Sequence, residues 1–157
     1  MAQKGKRFES EINKALAAVG NDRPNDFYHM RIYDRAGPAT QRQPADFLAI
    51  HKRQPYFFEC KRCGVSTSFP FNYIRDTQRQ DLMKAADAGA ISMFIIKHSK
   101  GQKPSCYAID IATWMDIEAN SKNRSVRWDV LDRLAEEKSI NKIVKNGDVW
   151  DLRALFV

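Results

Sequence analysis

Residues 44–63 read PADFLAIHKRQPYFFECKRC, and the fold is decided there. Two β-favouring runs, ADFLAI (45–50) and YFFECK (56–61), flank HKRQP, which reads as a hairpin tip with basic residues. The second run ends in charge, at Glu59, Cys60, Lys61 and Arg62. Alternate residues of a strand share a face, so Glu59 and Lys61 point one way and Phe58 and Cys60 the other. Asp46 opens the first strand. A hairpin brings it towards Glu59, although the sequence alone does not fix the register. Two carboxylates and one ammonium then meet at one end of a sheet. Neighbouring carboxylates repel unless a cation lies between them, and hard oxygen ligands with open positions suit Mg2+. Such an ion polarises a phosphodiester and lowers the pKa of bound water. A lysine beside it orients that water and stabilises developing negative charge. Glu-x-Lys alone is more often a solvated ion pair of little energy. The run of PAD, a turn and FFECK is what lifts it above that reading.

Outward from this hairpin, FYHMRIY (27–33) is a strand and 34–44, DRAGPATQRQP, an exposed basic loop. Residues 6–19 form a helix: Phe8, Ile12, Ala15, Leu16 and Val19 recur at helical spacing, and Gly20 suits its end. GVSTSFPFN breaks the pattern after the hairpin. A second helix runs from about Tyr73 to Ala88 and stops at Gly89. AISMFIIKH (90–98) is a buried strand and SCYAIDI (105–111) another. The order predicts an α/β architecture with a central mixed β-sheet flanked by helices. Residues 5–111 form the core of one domain, 1–157. Residues 112–157 read as an extension of short helices with a final strand near Val149.

The chain has 157 residues, 43% of them hydrophobic, enough for one domain with a real core. Lys and Arg number 26 against 19 acids, a net charge of +7, and the pI is about 9.4. A domain this basic attracts polyanions, nucleic acid first and an anionic membrane second, while solubility alone is the bland alternative. Three cysteines cannot all pair, the opening MAQKGKRFESE lacks the apolar segment of a signal peptide, and no stretch approaches a membrane span. The expected compartment is reducing cytoplasm.

Gln78 falls among Ile74, Leu82, Ala85 and Ala86 on the second helix, an amide in an apolar stripe. It bonds either to backbone at the helix start or to the acidic site. Arg75 and Arg79 flank it, as DNA contacts or as solvated arginines. Glu9 and Glu11 sit at opposite edges of the first helix's apolar stripe, and geometry does not choose between them. Cys60 and Cys63 lack the further ligands zinc requires. His29, His51 and His98 have no ligand spacing, and His51 reads as solvated. Trp114, Trp128 and Trp150 read as core.

Four segments together resemble the RecU-type Holliday junction resolvases of the PD-D/E-x-K nuclease superfamily: GKRFESEIN (5–13), PAD (44–46), ECK (59–61) and SFPFNYIRDTQRQDLM (68–83). The compact chain is similar to phage-encoded versions. The resemblance implies a restriction-endonuclease-like core and a Mg2+-dependent homodimeric endonuclease, Mn2+ substituting, that nicks four-way DNA junctions symmetrically. It implies catalytic roles for Glu9, Asp46, Glu59, Lys61 and Gln78, and a metal held by Asp46, Glu59 and the backbone carbonyl of Cys60. In the family the loop between the first two strands, here 34–44, is a stalk that enters the junction. Lys6, Arg7, Arg35, Arg42, Lys52, Arg53, Arg62, Arg75 and Arg79 are the expected contacts to DNA phosphates. The competing readings are a restriction- or repair-type nuclease on linear DNA and a DNA-binding protein without catalysis.

Overall fold

The structure, a computed structural model, describes residues 2–33, 43–100 and 103–157. Helix α1 (Ala2–Asp22) runs past both ends of the predicted span. Its five predicted apolar positions are all buried. The helix continues through Gly20, against which the Phe27 ring packs. Strands β1 (Phe27–Arg31), β2 (Phe47–His51) and β3 (Gln54–Cys63) form an antiparallel meander. The β2–β3 hairpin is tighter than expected, with Lys52 and Arg53 as its only turn residues. Their φ values of 49° and 70° put both in the left-handed region, the backbone that matches strand twist in two-residue hairpins and that Asn-Gly adopts more cheaply.

Strand β4 (Ser68–Pro70) and a 3-10 turn at Phe71–Tyr73 lead into α2 (Asp76–Asp87). The helix therefore starts three residues later than predicted. The stop is as read: Gly89 takes φ 107° and its N–H donates to the Ala86 carbonyl. Strands β5 (Ile91–His98) and β6 (Ser105–Asp110) follow, then α3 (Ile111–Asn120), β7 (Ser125–Arg127), α4 (Trp128–Glu136) and β8 (Asn141–Ile143). A small hairpin of β9 (Lys145–Asn146) and β10 (Val149–Trp150) precedes a last 3-10 turn at Arg153–Leu155.

The central sheet has the order β1-β2-β3-β5-β6-β8. Only β3 and β5 are parallel, so the sheet is mixed, and α2 lies in the crossover between them. Each face carries a core. On one, α1 packs on Phe47, Phe58, Cys60 and Ile95; on the other, α2 to α4 bring Leu82, Trp114 and Leu131 onto Phe94, Ile96 and Ile109. Residues 112–157 are woven into both cores. They add a strand to the sheet, Trp128 and Leu131 to the second core, and Trp150, Leu152 and Phe156 to the first. All three tryptophans are buried. Among the described residues no helix is long and apolar enough to cross a membrane.

Candidate active site

The hairpin register settles what the sequence left open. Phe47 lies opposite Phe58, and the Asp46 N–H donates to the Phe58 carbonyl at 3.0 Å, so Asp46 falls beside Glu59. There the strands part: β2 starts at Phe47 while β3 continues to Cys63. The Cys60 N–H, left without a β2 partner, donates to Asp46 Oδ2 at 2.8 Å. The N–H and C=O of one extended residue point to the same side, so the Cys60 carbonyl also faces this opened edge.

Glu59 and Lys61 share the α2 side of β3, with Lys61 Nζ 3.8 Å from Glu59 Oε1. Gln78 resolves its two readings by fulfilling both. Its Oε1 accepts the Arg75 N–H at 3.0 Å at the start of α2, and its Nε2 donates to Glu59 Oε1 at 2.8 Å. As the third residue of α2 it closes a capping box, and the same amide fixes the carboxylate.

Asp46 and Glu59 are both buried. Burial lifts the Asp46 carboxyl to about 6, with the Glu9 charge adding to the rise and the Cys60 N–H opposing it. Burial, then the Asp46 charge, lifts Glu59 to about 8, against the pull of Lys61. Lys61 is itself lowered, mainly by burial. The chain's own cations thus underbalance the acids, which is the environment a divalent cation corrects. Among the described residues, Asp46 Oδ1 and Glu59 Oε2 make no hydrogen bond, and no three His, Cys, Asp or Glu side chains gather as a metal cluster. Two carboxylates, a backbone carbonyl and otherwise open positions fit Mg2+ or Mn2+, which keep several waters.

The structure also separates Glu9 from Glu11. The Glu9 charge acts on Asp46, Glu59 and Cys60, and its Oε2 pairs with Arg31 Nη2 at 2.6 Å. Glu11 pairs with Lys97 at 2.8 Å, away from the carboxylate pair. Arg31 was not among the sequence candidates. Its position on β1, two residues from His29 and on the α1 side, was the available signal.

The expected DNA contacts are scattered. Lys6 and Arg7 are exposed near the start of α1, and Arg75 is exposed with its charge acting on both Glu59 and Lys61. Arg62, half-buried, follows Lys61 on β3. Lys52 and Arg53 lie at the far tip of the hairpin, about 17 Å of strand from Asp46, and do not surround the site. Arg79 is committed to structure: its guanidinium donates to the carbonyls of Phe71 and Ile74 and pairs with Glu118 and Asp76. Those bonds and its burial leave it unavailable to phosphates. Arg35 and Arg42 lie outside the described residues, as does most of the 34–44 loop.

His51, expected in solvent, is buried; Arg23 Nη1 stands 3.3 Å from its Nε2 and the Phe156 ring meets it edge-on. Cys60 and Cys63 belong to cores on opposite faces, and all three cysteines are free, so the C-x-x-C spacing carries no chemistry.

The model of the family described as recombination protein U matches residues 27–146 of this sequence. The chain belongs to the RecU family. That span holds Asp46, Glu59, Lys61 and Gln78 and leaves Glu9 outside, so the place of Glu9 rests on its geometry here. RecU proteins are Holliday junction resolvases, the family the four motifs resemble. No curated protein matches the chain. Among solved structures, that of Hjc from Archaeoglobus fulgidus, a Holliday junction resolvase from an archaeal hyperthermophile, matches at 16% identity. The match covers 78% of this chain and 86% of that one, with a TM-score of 0.49.

Proposed function

We propose that this chain is a Mg2+-dependent endonuclease that resolves four-way DNA junctions, acting as a homodimer in the cytoplasm of a bacterial or phage-infected cell. The observation that carries this reading is the placement of Asp46 beside Glu59 at a parted strand edge, with Lys61 on the face of Glu59. Asp46, Glu59 and the Cys60 carbonyl are the residues that would hold the cation. When bound, it supplies a polarised phosphodiester and a more acidic water.

The side chains do the rest. Asp46 is anchored by the Cys60 N–H and Glu59 by Gln78, so neither carboxylate has to be ordered when substrate arrives. Lys61, held near Glu59, stabilises negative charge developing on the phosphate and orients the attacking water. Glu9, paired with Arg31, adds a third acid at the margin. Lys6, Arg7 and Arg75, exposed, and Arg62, half-buried, would steer and hold phosphates.

The test compares a labelled four-way junction with linear duplex of the same sequence, with and without Mg2+. Paired nicks in the junction alone, only with Mg2+, are expected. Equal cutting of both substrates would assign the linear-DNA reading, and binding without any cutting would assign a non-catalytic one.

A further inference from the structure

A cleft of about 620 Å³ opens between α3, α4 and the turn that joins α3 to β7. It shares no residue with the acidic site. The half-buried side chains of Ile117, Val130 and Leu134, with the buried Val126, give it an apolar floor. One wall is the outer edge of β7. The Phe71 N–H donates to the Arg124 carbonyl and the Trp128 N–H to the Thr67 carbonyl, so residues 124, 126 and 128 turn their backbone groups to β4. By alternation, Ser125 and Arg127 turn theirs away from β4, on the side of the cleft they line. Both carbonyls there are taken. That of Ser125 accepts from Ser121 Oγ at 2.9 Å, and Arg127 is the N-cap of α4, whose carbonyl starts the helix ladder. The two N–H groups have no acceptor among the described residues. The edge therefore offers donors only. Charge agrees with it: residues 120–127 read NSKNRSVR, three cations and no acid. Arg127 is spent on Asp129, but the exposed Lys122 and Arg124 form no ion pair among the described residues. Arg133, on the α4 side, meets only Glu137, at 3.9 Å in solvent, a pair of little energy. Asp116 is the one acid among the residues that line the cleft.

We infer that this cleft is a docking site for an extended, acidic segment of a partner protein, added as a strand to the outer edge of β7. The inference goes beyond the nuclease reading and does not depend on it. The free N–H groups of Ser125 and Arg127 lie two residues apart, about 7 Å along the strand, the spacing at which one extended segment presents successive carbonyls. Alternate side chains of that segment then settle on Ile117, Val130 and Leu134, which asks them to be apolar. Those between them meet Lys122, Arg124 and Arg133, which asks them to be acidic. Donors and cations thus select the same sign of partner. A second copy of this chain, with its net charge of +7, is the wrong sign. Residues 34–42, DRAGPATQR, carry two cations against one acid and no apolar side chain larger than proline, so they do not supply the occupant either. DNA matches the cations but not the apolar floor, since DNA-facing surfaces are strongly polar.

An array of synthetic peptides of about eight residues, Asp or Glu alternating with Val, Ile, Leu or Phe, tests this on the full chain by fluorescence anisotropy. The best member is expected to bind with a Kd below ~100 µM. Its counterparts with Lys in place of each acid, or with acids throughout, are expected to bind at least ~10-fold more weakly. In a two-dimensional amide NMR titration with that peptide, the Ser125 and Arg127 signals are expected to shift and to gain protection from hydrogen exchange. Lys122→Glu combined with Arg124→Glu should weaken binding at least ~10-fold with an unchanged circular dichroism spectrum, because both side chains are exposed. Ser125→Pro removes one outward N–H and spares the ladder to β4, and should weaken binding equally; the charge-reversal pair guards against a fold defect in it. No member binding more tightly than ~1 mM would overturn the inference, as would equal binding of the basic peptides or signal changes that spare Ser125 and Arg127. Shifts of these two amides with chain concentration alone would assign the cleft to a second copy, and the same shifts on adding a four-way junction would assign it to DNA; either result also overturns the inference.

Discussion

Glu59 shows how burial and chemistry are joined at a single residue. Its raised pKa means that the neutral acid is the form the metal-free fold prefers. The sign follows from linkage: the contribution to stability is fully present below the ordinary carboxylate value of 4.5 and is lost as pH rises through about 8. Asp46 behaves alike, its contribution falling away between the ordinary 3.8 and about 6. Thermal melts in EDTA between pH 5 and 9 should therefore show wild type losing stability relative to Glu59→Gln as pH rises, and Mg2+ should restore wild type most at the alkaline end. A difference between the two proteins that stays constant with pH, or has the opposite sign, would remove the buried acid from the explanation. Lys61→Met should reduce junction nicking by about 10²–10³-fold with junction affinity nearly kept; single-turnover rates beside a binding titration measure both. The residues themselves were legible, because strand alternation dictates that Glu59 and Lys61 share a face. The hydrogen bond from Cys60 to Asp46 was not, since it depends on where β2 leaves β3, and that register is not written locally.

At the scale of elements, α2 is the part that a reading from periodicity misplaced. Continuing the apolar stripe back through Ile74 starts the helix near Tyr73, although a Gln78 bonded to backbone at the helix start is one of its two readings. Pro70, the 3-10 turn and an extended Ile74–Arg75 pair delay the start to Asp76, which turns Gln78 into a capping residue. One amide thereby ties the helix start to Glu59 on β3. Gln78→Ala should cost about 1 kcal/mol as a lost cap and also slow nicking, whereas Gln78→Glu should restore some capping geometry yet leave nicking low, by repulsion from Glu59. Chemical denaturation and nicking rates separate the two effects. The neighbouring arginines should part company in the same assays. Arg79→Ala should destabilise by about 2–3 kcal/mol, because buried partners lose a charged donor, without altering the salt dependence of DNA binding. Arg75→Ala should leave stability nearly unchanged and lower the salt slope by about 1. The hairpin tip was legible as a turn but not as a two-residue one, since Lys52-Arg53 lacks the Asn-Gly signature of that geometry.

Over the whole molecule, the sequence reading was strong for residues 6–111 and weak beyond. The reason is range. Strand β8 pairs with β6 across some 35 residues of chain, and Phe156 packs edge-on against Phe27 and Tyr56 at ring-centroid distances of 4.9 and 4.8 Å. Such contacts are tertiary and leave no periodic mark. They make the C-terminal third a structural necessity, so Phe156→Ala should cost about 3–5 kcal/mol, read as a lower denaturation midpoint.

The measurement that goes most directly to the shared-cation site is single-turnover cleavage of a labelled four-way junction in Mg2+ by wild type, Asp46→Asn and Glu59→Gln, each at protein concentrations that saturate binding. Both variants are expected to bind the junction within about threefold of wild type and to cut it at least ~10³-fold more slowly. Cutting at the wild-type rate by either variant would contradict the assignment of these two carboxylates as the pair that holds the cation.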